Sequence, residues 1–393
     1  MRRYIGKLFD AFRKGDLVLL LLCAVTTIFG LLAIASTTNA NAAGPMRYIL
    51  VQTGAAVAGV VAYVFFSSFD TEFFSEHRPL LTFFNIFMLL LLIPFGTDLN
   101  TGNKSWLDFP FLPFDIQPAE VCKISFVLVM ASVMASRQNS ISSPLSIGHI
   151  ILTMGIVVGL NLLVSKDMGV SLIFVFITFG MVLTGGVSFF WFAVVIAILL
   201  LGGPLAWEFI LSEKQQNRIM VLFDPSLDPN GIGSRYHTVR ALRSLTGGGL
   251  TGQGLFQGNR TQTRGALFAQ HTDFIFAAIG EELGFVGCAL VVLALLAIIA
   301  RVIWVGARSQ DYMRRLVCFG AASALIFQVT SNIGMCIGIT PVIGLTLPFV
   351  SYGGSSLVTL YTMLGLVSGV YARPNSTSNE RYVQPPNMYR IKR

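Results

Sequence analysis

The feature that most constrains this chain is a series of apolar segments, each about 20 residues long and separated by short polar breaks. A helix of that length crosses the hydrocarbon core of a bilayer, which is about 30 Å thick. The segments lack the alternation of apolar and polar residues that marks the strands of a membrane barrel. The sequence therefore predicts an all-α, polytopic integral membrane protein with about ten transmembrane helices, over residues 17–36, 48–68, 80–96, 119–136, 147–164, 168–185, 189–210, 274–303, 316–338 and 348–371.

Composition supports this class and excludes others. Hydrophobic residues make up 54% of the 393 positions and charged residues only 12%, whereas an average soluble domain has roughly 25% charged residues. The net charge of +8 does not indicate a nucleic-acid partner, because the basic residues cluster at helix ends and in one loop. The five cysteines and four histidines show no zinc-binding spacing. The sequence predicts neither a protein-built metal cage nor an organic cofactor.

Basic residues also predict the orientation in the membrane. Ala40-Asn41-Ala42 resembles a signal-peptidase site, but the apolar segment before it is too long for a signal peptide, so we expect an uncleaved first helix. An even number of helices puts both termini on one side, and because both are basic, that side is the cytoplasm. We therefore predict a cytoplasmic N-terminus (1–16), a membrane domain (17–371) with an extracytoplasmic loop (211–273), and a disordered cytoplasmic tail (372–393).

The predicted extracytoplasmic loop is rich in arginine and glycine. Its arginines pair with acidic residues and lipid headgroups, or they bind an anionic substrate, since the planar guanidinium group suits phosphate oxygens. The glycines of 247–258 are poor helix formers and predict a loop whose amides bind phosphate. The candidate substrate-binding arginines are Arg218, Arg235, Arg240, Arg243, Arg260 and Arg264.

The loop ends in His271-Thr272-Asp273, directly before an apolar helix. Asp273 is therefore expected at the outer boundary between water and lipid. Two interpretations stay open for it, a helix N-cap and a reactive group of an active site. Glu281 and Glu282 follow two to three turns deeper, where carboxylates need partners or raised pKa values.

Further polar residues occur beside or inside the apolar segments, where a charge costs at least about 2.5 kcal/mol. Glu120 and Lys123 are three residues apart on one helical face and are expected to pair, either to let the helix insert or as part of a site. Lys166 and Asp167 lie in a polar hairpin before Gly169, which permits close approach of another backbone.

Small polar residues also open the last helix, in segment 349–356. Ser351 and Ser355 are substrate-binding candidates there, although tight helix packing explains most of the segment equally well. Gln328 and Asn332, four residues apart on the preceding helix, are expected to hydrogen-bond across to it.

Several motifs follow one another along the chain in a recognisable order. They are Trp106 with Gln117-Pro-Ala-Glu120-x-x-Lys123, Asp167-x-Gly169, the glycines of 247–258, His271-Thr-Asp273-Phe-Ile-Phe-Ala277 with Glu281-Glu282-Leu-Gly284, and Leu347-Pro-Phe-x-Ser-Tyr-Gly-Gly-Ser-Ser356. Over residues 15–371 the chain resembles the SEDS family (shape, elongation, division and sporulation), which includes RodA and FtsW. The run Gly258-Asn-Arg-Thr-Gln262 resembles the RodA branch.

The resemblance implies a peptidoglycan glycosyltransferase for cell-wall elongation and shape, in the bacterial cytoplasmic (inner) membrane. Such an enzyme polymerises lipid II into glycan strands at the outer face and releases undecaprenyl pyrophosphate. The partners implied are lipid II, the growing lipid-linked glycan, a class B penicillin-binding transpeptidase and elongation-complex proteins. The resemblance makes Asp273 the essential acidic residue of the large loop, and Glu120 and Lys123 an ion pair beside a central cavity.

The chemistry of this reaction fits the residues. A sugar hydroxyl attacks an anomeric carbon that carries pyrophosphate, so the site must accept a proton and stabilise developing phosphate charge. Asp273 is expected to act as general base toward the 4-hydroxyl of the acceptor, or to bind a divalent cation, Mg²⁺ or Mn²⁺. Some of the loop arginines are expected to hold the pyrophosphate, and His271, Lys166, Asp167, Ser351 and Ser355 are further substrate-binding candidates.

Two other functions fit part of the sequence. A lipid II flippase would also have many helices with buried Glu120, Lys123 and Asp167, but it would concentrate polar groups near the membrane midplane, often with repeat symmetry. A scaffold without activity would explain the packing motifs but not Asp273.

Overall fold

The computed structural model describes residues 14–40, 44–97, 104–109, 114–209, 211–233 and 235–373. Most of the basic N-terminus, Asn41-Ala42 of the candidate cleavage site and residues 374–393 of the predicted tail lie outside the described residues. The helices are α1 (Leu17–Thr37), α2 (Gly44–Ser67), α3 (Thr71–Glu76), α4 (Arg78–Leu90), α5 (Leu92–Phe95), α6 (Pro118–Ala135), α7 (Pro144–Val164), α8 (Met168–Thr184), α9 (Phe189–Phe209), α10 (Glu213–Phe223), α11 (Tyr236–Gly248), α12 (Ile275–Arg308), α13 (Tyr312–Ile337) and α14 (Gly354–Ala372). Short 3-10 turns cover Gln138–Ser140 and Pro225–Leu227, and strands β1 (Gly96–Thr97) and β2 (Trp106–Leu107) pair antiparallel.

Ten apolar helical spans coincide with the ten predicted segments. In the described part of the chain, nine spans are long and apolar enough to cross a membrane, one of them formed by α4 and α5 together. The tenth, α8, has 17 residues, which gives it a length of about 25 Å, at the short end of what spans a bilayer. The polar hairpin at 165–167 separates α7 from α8. The predicted all-α polytopic fold is confirmed.

Three helices form the centre of the bundle and the others surround it. The apolar stretches of α6, α13 and α14 are 78%, 72% and 78% buried, while those of the other six long spans are at most 39% buried. The outer helices present large apolar side chains outward, including Leu21, Val57 and Leu200, each more than half exposed. A surface of this kind is stable against lipid rather than water, because contiguous exposed apolar area drives association in water.

The described ends of the chain meet at one end of the bundle. Asp16, the N-cap of α1, forms an ion pair with Arg301 of α12 at 2.8 Å, and its backbone N–H donates to Ser368 Oγ of α14. Arg314, at the start of α13, pairs with Asp70 at 2.9 Å at this same end. The segment before α12, which contains Asp273, lies at the opposite end. The first and last helices thus place the described ends of the chain on one side, as the even number of spans predicts.

The predicted loop between α9 and α12 contains two helices, α10 and α11. The expectation that Gly247 and Gly248 belong to an irregular loop is wrong, because they form the last turn of α11. Packing explains the difference. A Cβ atom on Gly248 would collide with the carbonyl oxygen of Gly280 in α12, so glycine here lets two helices approach closely although it is a poor helix former.

Helix α12 changes direction at Gly284, whose φ of 65° and ψ of −162° are not helical. The residues after this kink are enough to cross a bilayer by themselves, so the residues before it form a separate segment at the Asp273 end. Gly252 fits against the kink, since a Cβ atom on it would collide with the backbone of Glu282. The glycine-rich run is therefore packed around the bend in α12.

We predict that Gly248→Ala destabilises the protein although alanine favours a helix. The added methyl group meets the backbone of α12, which cannot move aside easily, so the free energy of unfolding should fall by about 1–3 kcal/mol. The matched control is Gly159→Ala in α7, where no atom lies within 4 Å of the new methyl group and stability should stay equal or rise slightly. Thermal unfolding in detergent measures both, and equal midpoints for the two variants would contradict the packing argument.

Candidate active site

The polar hairpin between α7 and α8 is tied to the start of α6. Asp167 is the N-cap of α8, where its Oδ1 accepts the N–H of Val170 at 3.1 Å. Its Oδ2 accepts from Gln117 Nε2 at 3.2 Å. Burial, with the negative charge of Glu120 adding to it, raises the pKa of Asp167. Lys166 beside it is exposed and adopts a left-handed φ of 56°.

The segment that connects α13 to α14 brings this hairpin together with Asp273. A Cβ atom on Gly169 would stand 2.6 Å from the carbonyl oxygen of Ile343, so the expected close backbone approach is confirmed. The neighbouring Gly344, with φ of 69°, lies against the carboxylate of Asp273. One end of the bundle thus contains Asp167, Asp273 and the start of α6.

Three consecutive backbone carbonyls hold Asp273 in place. The carbonyl of His271 accepts the N–H of Tyr352 at 2.8 Å, that of Thr272 accepts Ser351 Oγ at 2.5 Å, and that of Asp273 accepts Asn332 Nδ2 at 2.9 Å. Asn332 Nδ2 also donates to the carbonyl of Leu345 at 2.6 Å, and the residue is fully buried. The expectation that Gln328 and Asn332 hydrogen-bond to segment 349–356 is wrong, because Asn332 reaches Asp273 and Leu345, and the amide of Gln328 has no hydrogen-bond partner in the described structure.

Asp273 does not cap α12, and its carboxyl group has a raised pKa. The N-cap residue of α12 is Phe274, so the N-cap interpretation of Asp273 is wrong. The aspartate is partly buried, and loss of hydration raises the pKa of its carboxyl group to about 6. A hydrogen bond from Thr272 lowers that pKa, while the nearby charge of Asp167 raises it further. At neutral pH the group is ionised but is a better proton acceptor than an ordinary aspartate.

The Glu120–Lys123 pair is confirmed. Lys123 Nζ lies 2.7 Å from Glu120 Oε2 in the first turns of α6, and the two side chains are 1% and 5% exposed. Mutual neutralisation permits this burial, since an unpaired charge at this depth is unstable. The charge of Glu120 also contributes to the raised pKa of Asp167, so the pair lies within electrostatic reach of the site.

The hydroxyl groups of Ser351 and Ser355 are used inside the protein. Ser351 Oγ accepts the N–H of Leu347 while it donates to Thr272, and Ser355 Oγ accepts the N–H of Gln117 at 3.3 Å. Both serines are buried. Their contacts position the loop of Asp273 and the start of α6, which is a supporting role that the sequence did not distinguish from substrate binding.

His271 belongs to an aromatic cluster beside Asp273. Its ring centroid lies 5.1 Å from that of Tyr48 in α2 and 5.8 Å from that of Tyr352. Burial lowers the pKa of His271, so the ring is neutral at pH 7. The cluster gives the site an aromatic wall, in which Tyr352 belongs to a motif noted in the sequence without being a site candidate, and Tyr48 was not singled out.

The loop arginines separate into different surroundings. Arg218 and Arg235 line one cavity of about 110 Å³ that is bounded by Pro341 and Val342, close in sequence to Gly344. Arg240 instead donates to the carbonyls of Gly265 and Ala266 and stacks on Tyr236. Arg264 donates to the carbonyl of Ala40, while Arg243 is exposed and Arg260 is half-buried. Among the described residues, no carboxylate forms an ion pair with Arg218, Arg240, Arg243, Arg260 or Arg264.

Three amides of the glycine-rich run are used inside the protein. The N–H groups of Gly252, Gln253 and Gly254 donate to backbone carbonyls, two of them on Glu281 and Glu282. The prediction of a phosphate-binding nest is therefore wrong for these amides. The predicted partners of the two glutamates exist, because Glu281 accepts the N–H of Arg260 at 2.7 Å and Glu282 accepts Ser36 Oγ at 2.5 Å. The two carboxylates thus connect α12 to the glycine-rich loop and to α1.

Backbone strain is concentrated around the site. Non-glycine residues with positive φ in the described part of the chain are Lys166, Phe256, Ala269 and Phe349. Three of them stand within four residues before Asp167, Asp273 or Ser351. Such conformations cost of order 1–3 kcal/mol each and persist where the surrounding contacts fix them, often at functional sites.

A scan against protein families finds that residues 16–375 match the model FTSW_RODA_SPOVE, described as "Cell cycle protein". Among curated proteins, the chain is 31% identical over 360 residues to peptidoglycan glycosyltransferase MrdB of Escherichia coli K12, covering 91% of this chain and 93% of that protein. It is 32% identical over 365 residues to the probable peptidoglycan glycosyltransferase FtsW of Thiomicrospira cyclica, covering 90% of each.

Solved structures give the same picture. A chain from a structure entitled "Structural coordination of polymerization and crosslinking by a peptidoglycan synthase complex" superposes with a TM-score of 0.77 at 27% identity, over 92% of this chain and 99% of that chain. The rod shape determining protein RodA of Thermus thermophilus superposes with a TM-score of 0.66 at 25% identity, over 92% and 98% of the two chains.

We predict that Asn332→Leu destabilises the protein whereas Gln328→Leu, one turn earlier in α13, does not. The first change leaves the buried carbonyls of Asp273 and Leu345 without their donor, so the free energy of unfolding should fall by about 2 kcal/mol or more. The side-chain amide of Gln328 is buried without a hydrogen-bond partner in the described structure, so leucine there should be neutral or stabilising. Unfolding curves of both variants decide the matter, and a similar loss in each would show that the Asn332 bonds are not special.

Proposed function

The chain belongs to the FtsW, RodA and SpoVE family, and from this premise we propose that it polymerises lipid II into glycan strands and releases undecaprenyl pyrophosphate. It is a peptidoglycan glycosyltransferase that acts in cell-wall synthesis. The observation that carries the proposed chemistry is Asp273, a partly buried carboxylate with a pKa of about 6 on a segment fixed by three carbonyl hydrogen bonds.

In the proposed reaction, the 4-hydroxyl oxygen of the acceptor sugar attacks the anomeric carbon of the donor. The bond from that carbon to the pyrophosphate oxygen breaks, and the pyrophosphate leaves with the electron pair. The hydroxyl proton passes to the carboxylate of Asp273. A base whose pKa lies near the working pH is efficient in this role, because it is both deprotonated beforehand and able to accept the proton.

The leaving pyrophosphate needs cationic groups, and Arg218 and Arg235 are the best placed. They share a cavity that ends at Pro341 and Val342, two residues before the glycine that touches Asp273. Arg240, by contrast, spends its guanidinium donors on backbone carbonyls. We assign pyrophosphate binding to Arg218 and Arg235, whereas the sequence alone could not rank the six loop arginines.

The donor set at this end also suits a divalent cation. Mg²⁺ is commonly held by one or two carboxylates together with substrate phosphates, and does not require a cage of three protein ligands. As the alternative to the general-base role, Asp273 and Asp167, which interact electrostatically, would be its protein ligands. When bound, the ion would neutralise developing negative charge on the pyrophosphate.

The proposed cellular setting follows from the family and from the charge pattern. We propose that the protein lies in the bacterial cytoplasmic membrane with both termini in the cytoplasm and the Asp273 end outside. Its similarity to a chain from a peptidoglycan synthase complex supports a penicillin-binding protein as partner, and we propose a class B transpeptidase. Because the run Gly258–Gln262 resembles RodA, we also propose elongation-complex proteins as partners.

Polymerisation of purified lipid II should stop when Asp273 is changed to Asn. We expect a loss of more than about 100-fold with the transpeptidase partner and Mg²⁺ or Mn²⁺ present. In the unchanged protein the rate should depend on the ionised carboxylate, so it should fall about tenfold per pH unit below a pKa of about 6 and level off above it. Gel analysis of glycan strands across pH gives both results.

A second variant separates this assignment from a general effect of pH. Asp167→Asn keeps the N-cap of α8 but removes a charge that raises the pKa of Asp273, so the acidic limb should move to lower pH. If the limb stays in place, the two carboxylates are not coupled. If no strands form with the unchanged protein and its partner while lipid II crosses liposome bilayers, the chain is a flippase and the polymerase assignment is lost.

The arginines should differ in a defined order. Arg218→Gln and Arg235→Gln are each expected to lower kcat/KM for lipid II by about tenfold or more, because each removes a charge-assisted bond to pyrophosphate. Arg243→Gln, at an exposed position of helix α11, should change it by less than about twofold. A larger loss for Arg243→Gln than for the other two variants would contradict the assignment and indicate that the pyrophosphate binds at another face of the loop.

A further inference from the structure

A cavity of about 250 Å³ opens between α4, α6 and α7, at the end of the bundle away from Asp273. Arg78 begins α4, Arg137 follows the end of α6 and His149 lies in the second turn of α7. Glu120, at the other end of α6, is 17 positions from Arg137, which corresponds to about 25 Å along a helix. The cavity is therefore separate from the candidate active site.

The mouth of this cavity is basic and ordered. Arg137 Nη2 donates to His149 Nε2 at 3.3 Å. His149 Nδ1 donates to the carbonyl of Leu145 at 2.7 Å, which fixes the ring so that Nε2 is the acceptor. Arg78 lines the same mouth from α4. The guanidinium groups of Arg78 and Arg137 thus line one opening, and a hydrogen bond to His149 orients that of Arg137.

No acidic side chain neutralises these arginines in the described part of the chain. The ion pairs there join Lys123 to Glu120, Arg301 to Asp16, and Arg314 to Asp70 and Glu72. Arg78 and Arg137 belong to none of them. Arginines that are half-buried and unpaired in this way favour an anionic ligand, because the guanidinium fork matches phosphate oxygens.

The walls of the cavity are hydrocarbon. Phe126, Val129 and Val133 of α6 face Ile156 and Val157 of α7 across it, and Ile86 closes the side of α4. All three helices cross the membrane, and Leu152 at the rim is 60% exposed. An opening of this kind faces lipid, so a chain can enter it sideways while a phosphate stays at the basic mouth.

We propose that this cavity is a binding site for an anionic phospholipid, with its phosphate at Arg78 and Arg137 and one acyl chain between α6 and α7. The apolar walls exclude free phosphate as the natural occupant, since it would leave the cavity unfilled. Two unpaired arginines select a net negative headgroup over a zwitterionic one, whose own cation the site would repel. The site is independent of the glycosyltransferase chemistry.

Native mass spectrometry of the purified full-length protein tests this site. Phosphatidylglycerol should bind about tenfold more tightly than phosphatidylcholine with the same acyl chains, at roughly a fewfold per arginine. Arg78→Gln combined with Arg137→Gln should remove this preference. The matched control is Arg308→Gln, which removes one charge at the same end of the bundle, where Arg308 stacks on Trp304 outside the cavity.

A second pair of variants tests the acyl chain without changing charge. Ile156→Phe fills the cavity and should weaken phosphatidylglycerol binding by about fivefold or more, while Ile151→Phe, exposed on the same helix, should not. Thermal midpoints verify that each variant is folded. Equal binding of the two lipids, equal binding by the arginine variant and its control, or displacement of the lipid by millimolar inorganic phosphate would each overturn the proposal.

Discussion

The site depends on hydrogen bonds to three consecutive carbonyls, those of His271, Thr272 and Asp273. Asp273 lies at the end of the long segment between α9 and α12, which by itself would let a carboxylate sample many positions. The donor Asn332 comes from the core helix α13, and the donors Ser351 and Tyr352 come from the segment just before α14. Two of the most buried helices of the bundle and the segment between them thus fix Asp273, which is the condition for the proposed role of this residue as a base against a bound sugar.

The glycine-rich run packs against α12, the helix that follows Asp273. Its glycines permit contact with the kinked helix α12, and its amides bond to the backbone of Glu281 and Glu282. The two carboxylates hold Arg260 and Ser36 in turn. In a membrane protein a buried carboxylate without partners is unstable. We therefore interpret these glutamates as hydrogen-bond acceptors that fix the loop to α12 rather than as reactive groups.

The sequence predicted the number of spans, their type and the Glu120–Lys123 pair, because these follow from periodicity and from the high free energy of a charge in hydrocarbon. It also identified Asp273 and Asn332 as residues of interest. It could not predict which donors reach the 271–273 carbonyls, since these contacts join residues about 60 to 80 positions apart. Nor could it tell a phosphate-binding glycine loop from a packing one, because glycine permits close approach in both cases.

In the proposed reaction, one end of the bundle has to provide both a proton acceptor and positive charge for the leaving pyrophosphate. The charge of Glu120 raises the pKa of Asp167, and the charge of Asp167 raises the pKa of Asp273. Arg218 and Arg235 line a cavity with Pro341 and Val342, which precede Gly344 in the same segment. A base surrounded by cations would keep a low pKa and accept a proton poorly, whereas a leaving pyrophosphate needs those cations. No arginine is among the causes of the pKa of about 6 at Asp273, the proposed base, and the arginines proposed to bind pyrophosphate line a cavity beside the same segment.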